Sequence, residues 1–547
     1  MENILSVDYL SYFVIIPVLI AVFLFVFTKN QAARVIAIIF QALFTGFVAF
    51  LVIQTRDQSL LTAVGNYDGI LGILLYADSI AAIFILLTAV LFLGISIYSF
   101  HESDQRRFWC LLFLLEAALV GLFLTRDLFN IFVMIEVSTV VVIILMMYYR
   151  TRRNMFTGMV YLMVNIIAMQ LYLFGLAYIY MIGGGFDIPH LQAVFAGMDQ
   201  SNLILPYAMI MTGIAFKAGI IPLISVIPKA RLYPGAPSAV AALLSGIQVK
   251  AAVYLFIRFQ DMFGGIAQQE FFLVVGIITA ATGVILAMAQ TDIKMILAYH
   301  TVSQVGLIMI GLNAGDAYYY SFYGALYHMV AHGIFKSALF LTAGIIRKSY
   351  GTANVYKIRG VMKRMPIVGI ASAFAILSIT GAPFFIGSIS KYFLTAGNPY
   401  GAPPWVEYSI IVVSVGTIIS FIKYGWMLFG KDDPSMKGEQ FTPDKWRVAP
   451  SVILALLCLG GGLFGVQVMD YFFNTGITTN LFASGAYYIK VAIFAGSALV
   501  GFVIYKFVVS RSKVLKKIGD MDLTFKTIAV STGAFLGIML IVTGFLT

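Results

Sequence analysis

Cysteine and charge are both scarce in this chain. Its two cysteines, Cys110 and Cys458, each sit inside an apolar run, which excludes a disulfide framework and leaves no spacing for a zinc or iron–sulfur site. No metal centre and no redox cofactor are therefore expected. Charged residues fill 11% of the 547 positions against 61% hydrophobic ones, and mean hydropathy is +0.96, which excludes a soluble globular protein. The formal charge of +11 does not point to nucleic acid, because the lysines and arginines fall in short connections where membrane topology accounts for them. A dinucleotide loop is missing as well. Residues 460–465, GGGLFG, satisfy G-x-G-x-x-G but lie inside an apolar run without a preceding strand or a following acid, so close helix packing is their expected use. With no nucleophile or cofactor loop in view, an enzyme in its own right is not expected. The opening MENILSVDYLSY is acidic and the run after it has no small-residue cleavage site, so it reads as a retained first span.

What is abundant is apolar runs of about twenty residues, repeating from end to end. Sixteen fit, over 9–28, 33–54, 72–99, 108–125, 127–149, 156–182, 203–224, 236–260, 271–290, 294–313, 317–346, 366–395, 406–429, 447–469, 486–509 and 524–546. The expected fold is all-α, a polytopic membrane bundle of about sixteen helices. Connections after odd-numbered spans carry the basic residues, such as Arg150, Arg152 and Arg153, while those after even-numbered spans carry Asp187, Asp199, Asp261, Glu270, Asp316 and Asp470. That alternation predicts basic loops in the cytoplasm and both termini outside, and the membrane expected is the cell's inner (plasma) membrane.

A faint echo runs through the chain. TRDLFNIFVMIE opens span five and TDIKMILAYHTV opens span ten, while spans seven and twelve are each interrupted and each carry a lysine. The interruptions are Pro222 and Pro228 in the first, and GAP at 381–383 with Gly387 in the second. Paired spans run in opposite directions, which predicts two inverted five-helix repeats. The division that follows is 1–107 for helices 1–3, 108–260 for the first repeat, 271–429 for the second and 430–547 for helices 14–16.

Ionisable residues deep in apolar runs are costly, roughly 2.5–3.5 kcal/mol each on insertion scales, and mark pathways. Glu136 lies about nine residues into span five and needs a cation from another helix, for which Lys217, in broken span seven, is the candidate. Such a pair responds to small geometric changes and suits a proton switch; the competing reading is an ion pair that fixes packing. Lys250 lies in the middle of span eight. His328, His332 and Lys336, at i, i+4 and i+8, share one helix face over roughly 12 Å of rise and form a candidate proton relay. Lys391 lies past the break in span twelve, where it marks an exit or snorkels outward. Glu116 is equally deep, with no partner named by the sequence; His300 extends the row or caps a polar contact, and Lys294 reads as an anchor near the cytoplasmic mouth.

Several segments together resemble the antiporter-like subunits shared by respiratory complex I (NADH:quinone oxidoreductase), membrane-bound hydrogenases and Mrp-type sodium/proton antiporters, the D-type chains of the last among them. DLFNIFVMIE at 127–136 is similar to their glutamate-bearing fifth helix and GIAFKAGIIPL at 213–223 to their broken seventh, while APSAVAALLSGIQVKAAVYLFIR at 236–258 matches their eighth. YHMVAHGIFKSALFLTAG at 327–344 resembles helix eleven, and GAPFFIGSISK at 381–391 the break of helix twelve. The chain departs from the pattern at Phe384, where a second proline is usual, at Ser388, where an aromatic is common, and at Arg231, where many members have histidine. The connection 510–523 is also too short for a long lateral helix.

The resemblance implies a proton path through Glu136, Lys217, Lys250, His328, His332, Lys336 and Lys391. It also implies antiporter-like and smaller membrane subunits as partners, with any redox centres in soluble or other chains. The expected function is that of a proton-translocating subunit in a redox-driven pump of complex I or hydrogenase type, and the alternative is an Mrp-type sodium/proton antiporter subunit. A coupling partner for a carbon-dioxide-hydrating protein is a third reading.

Overall fold

Aspartates set where several membrane helices begin. Asp78 accepts from the Ala81 amide at 2.8 Å, Asp127 from Asn130 at 2.6 Å and Asp292 from Lys294 at 2.8 Å, each using one of the donors a helix start leaves unpaired. The acidic mouths noticed in spans five and ten are therefore helix caps.

The computed structural model describes residues 3–4, 9–67, 72–101, 105–221, 233–314, 319–396, 404–431, 442–477, 481–483, 485–519 and 525–546. Pro222, Pro228, Arg231 and Asp316 lie outside them. The helices that concern the site are α1 (Tyr9–Phe27), α2 (Asn30–Gln54), α3 (Ser79–Tyr98), α4 (Gln105–Leu124), α5 (Leu128–Met146), α6 (Arg152–Gly183) and α7 (Ile204–Ala218). Then come α8 (Ser238–Ile266), α9 (Gln269–Ala289), α10 (Ile293–Leu312), α11 (Tyr319–Tyr350), α12 (Pro366–Thr380) and α13 (Ile386–Ala396). The chain continues through α14 (Pro404–Gly425), α15 (Lys445–Leu463), α16 (Gly485–Phe507) and α17 (Phe525–Leu546).

Among the described residues, fourteen helices are long and apolar enough to cross a membrane, and they coincide with fourteen of the sixteen expected spans. The two without a long helix are spans seven and twelve, the two read as broken. α7 is the first half of one, and α12 and α13 are the two halves of the other. The fold is thus the expected multi-pass helical bundle.

Three local devices occur twice. α7 and α12 both end on a left-handed glycine, Gly219 (φ +75°) and Gly381 (φ +83°), a backbone state that other residues adopt only with strain. After each, the next amide bonds back five residues, Ile220 to Ala215 at 3.1 Å and Ala382 to Leu377 at 2.8 Å. The entry of α5 pairs with the chain beyond α6, Leu128 N donating to Phe186 O and Ile188 N to Arg126 O. The entry of α10 pairs in the same way beyond α11, Ile293 N donating to Ala353 O and Val355 N to Thr291 O.

Some structure was not foreseen. Leu74–Ala77, read as the start of span three, is a β-strand (β3) that pairs antiparallel with β2 (Leu60–Ala63), itself parallel to β1 (Asn3–Ile4). The four apolar residues LLYA fit a short buried strand as well as a helix, and the Asp78 cap delays α3 until Ser79. The connection after α6 also folds a short helix, Ile188–Ala196, and span fourteen bends at Phe464 into a second helix, Gly465–Phe473.

The GGGLFG stretch at the end of α15 packs against the break between α12 and α13. A β-carbon on Gly462 would lie 2.0 Å from the Phe384 carbonyl oxygen, which requires glycine there and supports the packing reading over a nucleotide loop. Phe384 itself has φ +69°, a strained state for a side-chain-bearing residue, and its amide donates to Tyr487 Oη at 3.1 Å. That is how a phenylalanine holds the turn where relatives were expected to carry proline.

Candidate functional site

The expected pair forms. Lys217 Nζ lies 3.2 Å from Glu136 Oε1 and donates to Thr139 Oγ1 at 2.8 Å, so two residues of α5 one turn apart grip the lysine at the end of α7. The lysine side chain is 7% exposed and the glutamate 27%, so the carboxylate sits at the rim of the bundle and the ammonium inside it. The helix ends two residues later at Gly219, and its continuation is held by Thr279 of α9, whose hydroxyl accepts from Ile221 N at 3.0 Å.

A cavity of about 20 Å³, enough for one water, joins Lys217 and Thr139 to Tyr161 and Gln248. Gln248 Nε2 donates to Ser138 Oγ at 3.0 Å, and it closes a π-turn, Leu244–Gln248, inside α8. Such a turn loosens the helix ladder, and Lys250 uses the opening: its Nζ donates to the Ser245 carbonyl at 2.5 Å. Ser245 Oγ in turn shares a 2.6 Å hydrogen bond with Thr301 of α10.

The α11 row is fully buried and continues the same line. His332 lies within electrostatic reach of Lys250, Lys336, His328 and His300, and both of its ring nitrogens lack a protein partner among the described residues. Its ring stands 6.5 Å from that of His328, with planes 19° apart. His328 is held at both nitrogens, Nδ1 to Ser390 Oγ at 2.8 Å and Nε2 to Gln304 Oε1 at 3.1 Å. Ser390 precedes Lys391, whose Nζ donates to the Ile379 and Thr380 carbonyls at 3.0 and 3.3 Å, acceptors freed by the end of α12. Lys336 Nζ reaches the Leu297 carbonyl at 2.5 Å. Of the seven residues on the expected path, Lys217, Lys250, His328, His332 and Lys336 are buried, while Glu136 and Lys391 are partly exposed.

The family model for the transmembrane region of NADH:quinone oxidoreductase and Mrp antiporters matches residues 125–420, more than half the chain. The chain belongs to this family. It is 32% identical over 84% of its length to the D-type chain of the Na(+)/H(+) antiporter of Alkalihalophilus pseudofirmus, covering 94% of that protein. It is 30% identical over 82% of its length to the N-type chain of the NADH-quinone oxidoreductase of Desulforudis audaxviator, covering 91% of it. Among solved structures, a chain of the Mrp complex from Dietzia sp. DQ12-45-1b superposes with a TM-score of 0.78 at 24% identity, over 89% of this chain and 99% of that one. A chain of the archaeal membrane-bound sulfane sulfur reductase reaches the same TM-score at 21% identity, over 90% and 100%. At those identities the structures speak for the fold.

Within this NADH:quinone oxidoreductase/Mrp antiporter chain, several buried polar residues escaped sequence reading. Lys423 of α14 is 2% exposed, and its Nζ donates to the Ala287, Met288 and Gln290 carbonyls at 3.3, 2.7 and 2.6 Å, capping the end of α9. One turn earlier, Ser420 Oγ bonds His300 Nε2 at 2.8 Å, so His300 makes the polar contact rather than extending the row alone. Lys423 lies near the end of its span, and its three-residue spacing from Ser420 was the available signal. Lys294, read as an anchor, is 1% exposed and donates to the Ala236 carbonyl at 2.8 Å. The partner of Glu116 is Gln41 of α2, whose Nε2 donates to Oε1 at 2.6 Å. Two further ion pairs, Arg258–Asp78 and Arg126–Asp187, each at 2.6 Å, lie near the strand Leu74–Ala77 at one end of the first half.

Proposed function

We propose that this protein carries protons across the membrane along Glu136, Lys217, Lys250, His328, His332, Lys336 and Lys391, inside a multi-subunit assembly. The observation that carries the reading is the Glu136–Lys217 contact beside a helix break, linked by a water-sized cavity to the π-turn that holds Lys250. A change in the pair's separation alters how tightly Lys217 keeps its proton, and Lys217 exchanges with Lys250 through Gln248 and water. The imidazoles then pass protons on toward Lys336 and Lys391, each ring accepting on one nitrogen and releasing from the other.

The twice-used helix caps, strand-like bridges and glycine breaks support two inverted five-helix repeats over 108–260 and 271–429, flanked by 1–107 and 430–547. The loop charges support basic loops on the cytoplasmic side of the plasma membrane and both termini outside. Redox-driven pumping, with electron transfer in soluble or other partner chains, is the first reading of the assembly. The likeness to an antiporter chain over 94% of that protein's length favours a second, sodium/proton exchange without electron transfer. In either, Lys217→Ala and Glu136→Ala are expected to abolish ion-coupled activity in the assembled complex while leaving assembly intact. Full pumping by both variants would remove the assignment. Identifying every chain that co-elutes in mild detergent separates the two assemblies: iron–sulfur or hydrogenase-like chains support the first, small membrane subunits alone the second.

A further inference from the structure

Lys391 is not the last charged group before the surface. Past the glycine break, α13 runs toward the end of the bundle at which α14 begins, so whatever leaves Lys391 in that direction passes the first turns of α14 and of the neighbouring α16. A cavity of about 100 Å³ opens there, room for several waters. Its lining is mostly apolar but includes Thr380, Ser388 and Lys391 around the break, Ser414 on α14, and Tyr487 and Lys490 on α16. Lys490 lines the cavity and makes an ion pair with Glu407, in the first turn of α14, the two side chains being 29% and 35% exposed. This space therefore holds the partly buried ammonium of Lys391, and Lys490 on its wall pairs with an acid of a different helix. Lys490 lies beyond the region that the family model matches, and Glu407 lies just inside its end.

We infer that the Glu407–Lys490 pair is the exit gate of the proton path, receiving protons from Lys391 through water in this cavity. The inference rests on the proton-carrying reading above. The Lys391 ammonium gives its proton to cavity water, which passes one to the Glu407 carboxylate. Protonation neutralises that carboxylate and releases Lys490, and the neutral acid then loses its proton to water at the bundle end, restoring the pair. One proton leaves per cycle and no other species is consumed. While the pair is closed, the Lys490 ammonium facing the same cavity as Lys391 opposes return of a proton from outside, because like charges across so small a space repel. Tyr487, whose hydroxyl accepts from the Phe384 amide, ties α16 to the break and keeps Lys490 in register with it.

The test uses the complex purified whole and reconstituted into vesicles, with proton movement followed by a pH-sensitive dye. Lys490→Met and Glu407→Gln are each expected to slow proton translocation about tenfold or more, as the loss of a proton-transfer group does. Lys490→Arg, which keeps the charge and the pair, is expected to restore most of the rate. Wild-type rates in both neutral variants would overturn the gate, and so would a loss that arginine fails to rescue, which points to packing alone. Lys217→Ala run alongside separates the two levels. If it stops translocation while the neutral gate variants pump normally, the gate falls and the proton path stands; if it pumps normally, the path falls and takes the gate with it.

Discussion

Lys250 reaches back to the carbonyl of Ser245 within a single widened turn of its own helix. The lysine supplies a donor that the π-turn removes from the ladder, so Lys250→Met leaves a buried acceptor unpaired as well as deleting a proton carrier. A loss of about 1–3 kcal/mol is expected, together with loss of translocation. Ser245→Ala keeps the carbonyl and removes only the hydroxyl bond to Thr301, so it is expected to retain most of both. Thermal unfolding and dye-monitored pumping of the two variants check this; equal damage from both would show that the side-chain contact to Thr301 matters as much as the lysine.

His332 differs from its neighbour in the row. His328 is fixed at both nitrogens, whereas neither nitrogen of His332 meets a protein partner among the described residues. Removing a buried polar group that lacks protein partners is cheap, so His332→Leu is expected to leave thermal stability unchanged or raise it by about 1 kcal/mol while stopping proton movement. His328→Leu leaves Gln304 without its partner and removes one of the two hydrogen bonds of Ser390, and is expected to lower stability as well. Pumping at the wild-type rate in His332→Leu would remove His332 from the path.

How much of this was legible follows from the kind of signal each group gives. Spans and their breaks are legible because a bilayer demands about twenty apolar residues and tolerates glycine and proline only where something else satisfies the backbone. Glu136, Lys217 and the α11 row stand out because charge is rare in such runs. What stayed hidden depends on distance between helices. Nothing local ties Gln41 to Glu116, Ser420 to His300 across 120 residues, Lys490 to Glu407, or Lys423 to the carbonyls that end α9. The small sheet was hidden for another reason, since a four-residue apolar stretch carries no period long enough to separate strand from helix.

Glu116 is fully buried, yet its environment is that of a structural acid. One oxygen accepts from Gln41 at 2.6 Å and the other has no donor among the described residues, so the side chain behaves as a single acceptor. Glu116→Gln keeps that acceptor and is expected to pump normally. Gln41→Leu leaves the acid without its donor and is expected to cost about 1–3 kcal/mol, while removing both polar groups together, as Gln41→Leu with Glu116→Leu, is expected to recover most of that loss. Melting curves of the three variants test the assignment. Failure of Glu116→Gln to pump would instead put Glu116 on the proton path.

Gly462 and Gly460 sit two residues apart on α15 but face different surroundings. A β-carbon at Gly462 would meet the Phe384 carbonyl at 2.0 Å, whereas one at Gly460 would meet nothing within 4 Å. Phe384 already holds a strained φ at the turn between α12 and α13, and its amide is tied to Tyr487, so it has little room to yield. Gly462→Ala is therefore expected to push the break apart, at about 1–3 kcal/mol, and to move Lys391 away from the α12 carbonyls and from the line through His328 and Ser390. Gly460→Ala, in the helix interior with open space beside it, is expected to be neutral or to stabilise by about 0.5–1 kcal/mol. Proton translocation should fall steeply in the first variant and stay unchanged in the second. Equal behaviour of the two would mean that the geometry of the break does not depend on the close approach of α15, and that Lys391 is placed by α12 and α13 alone.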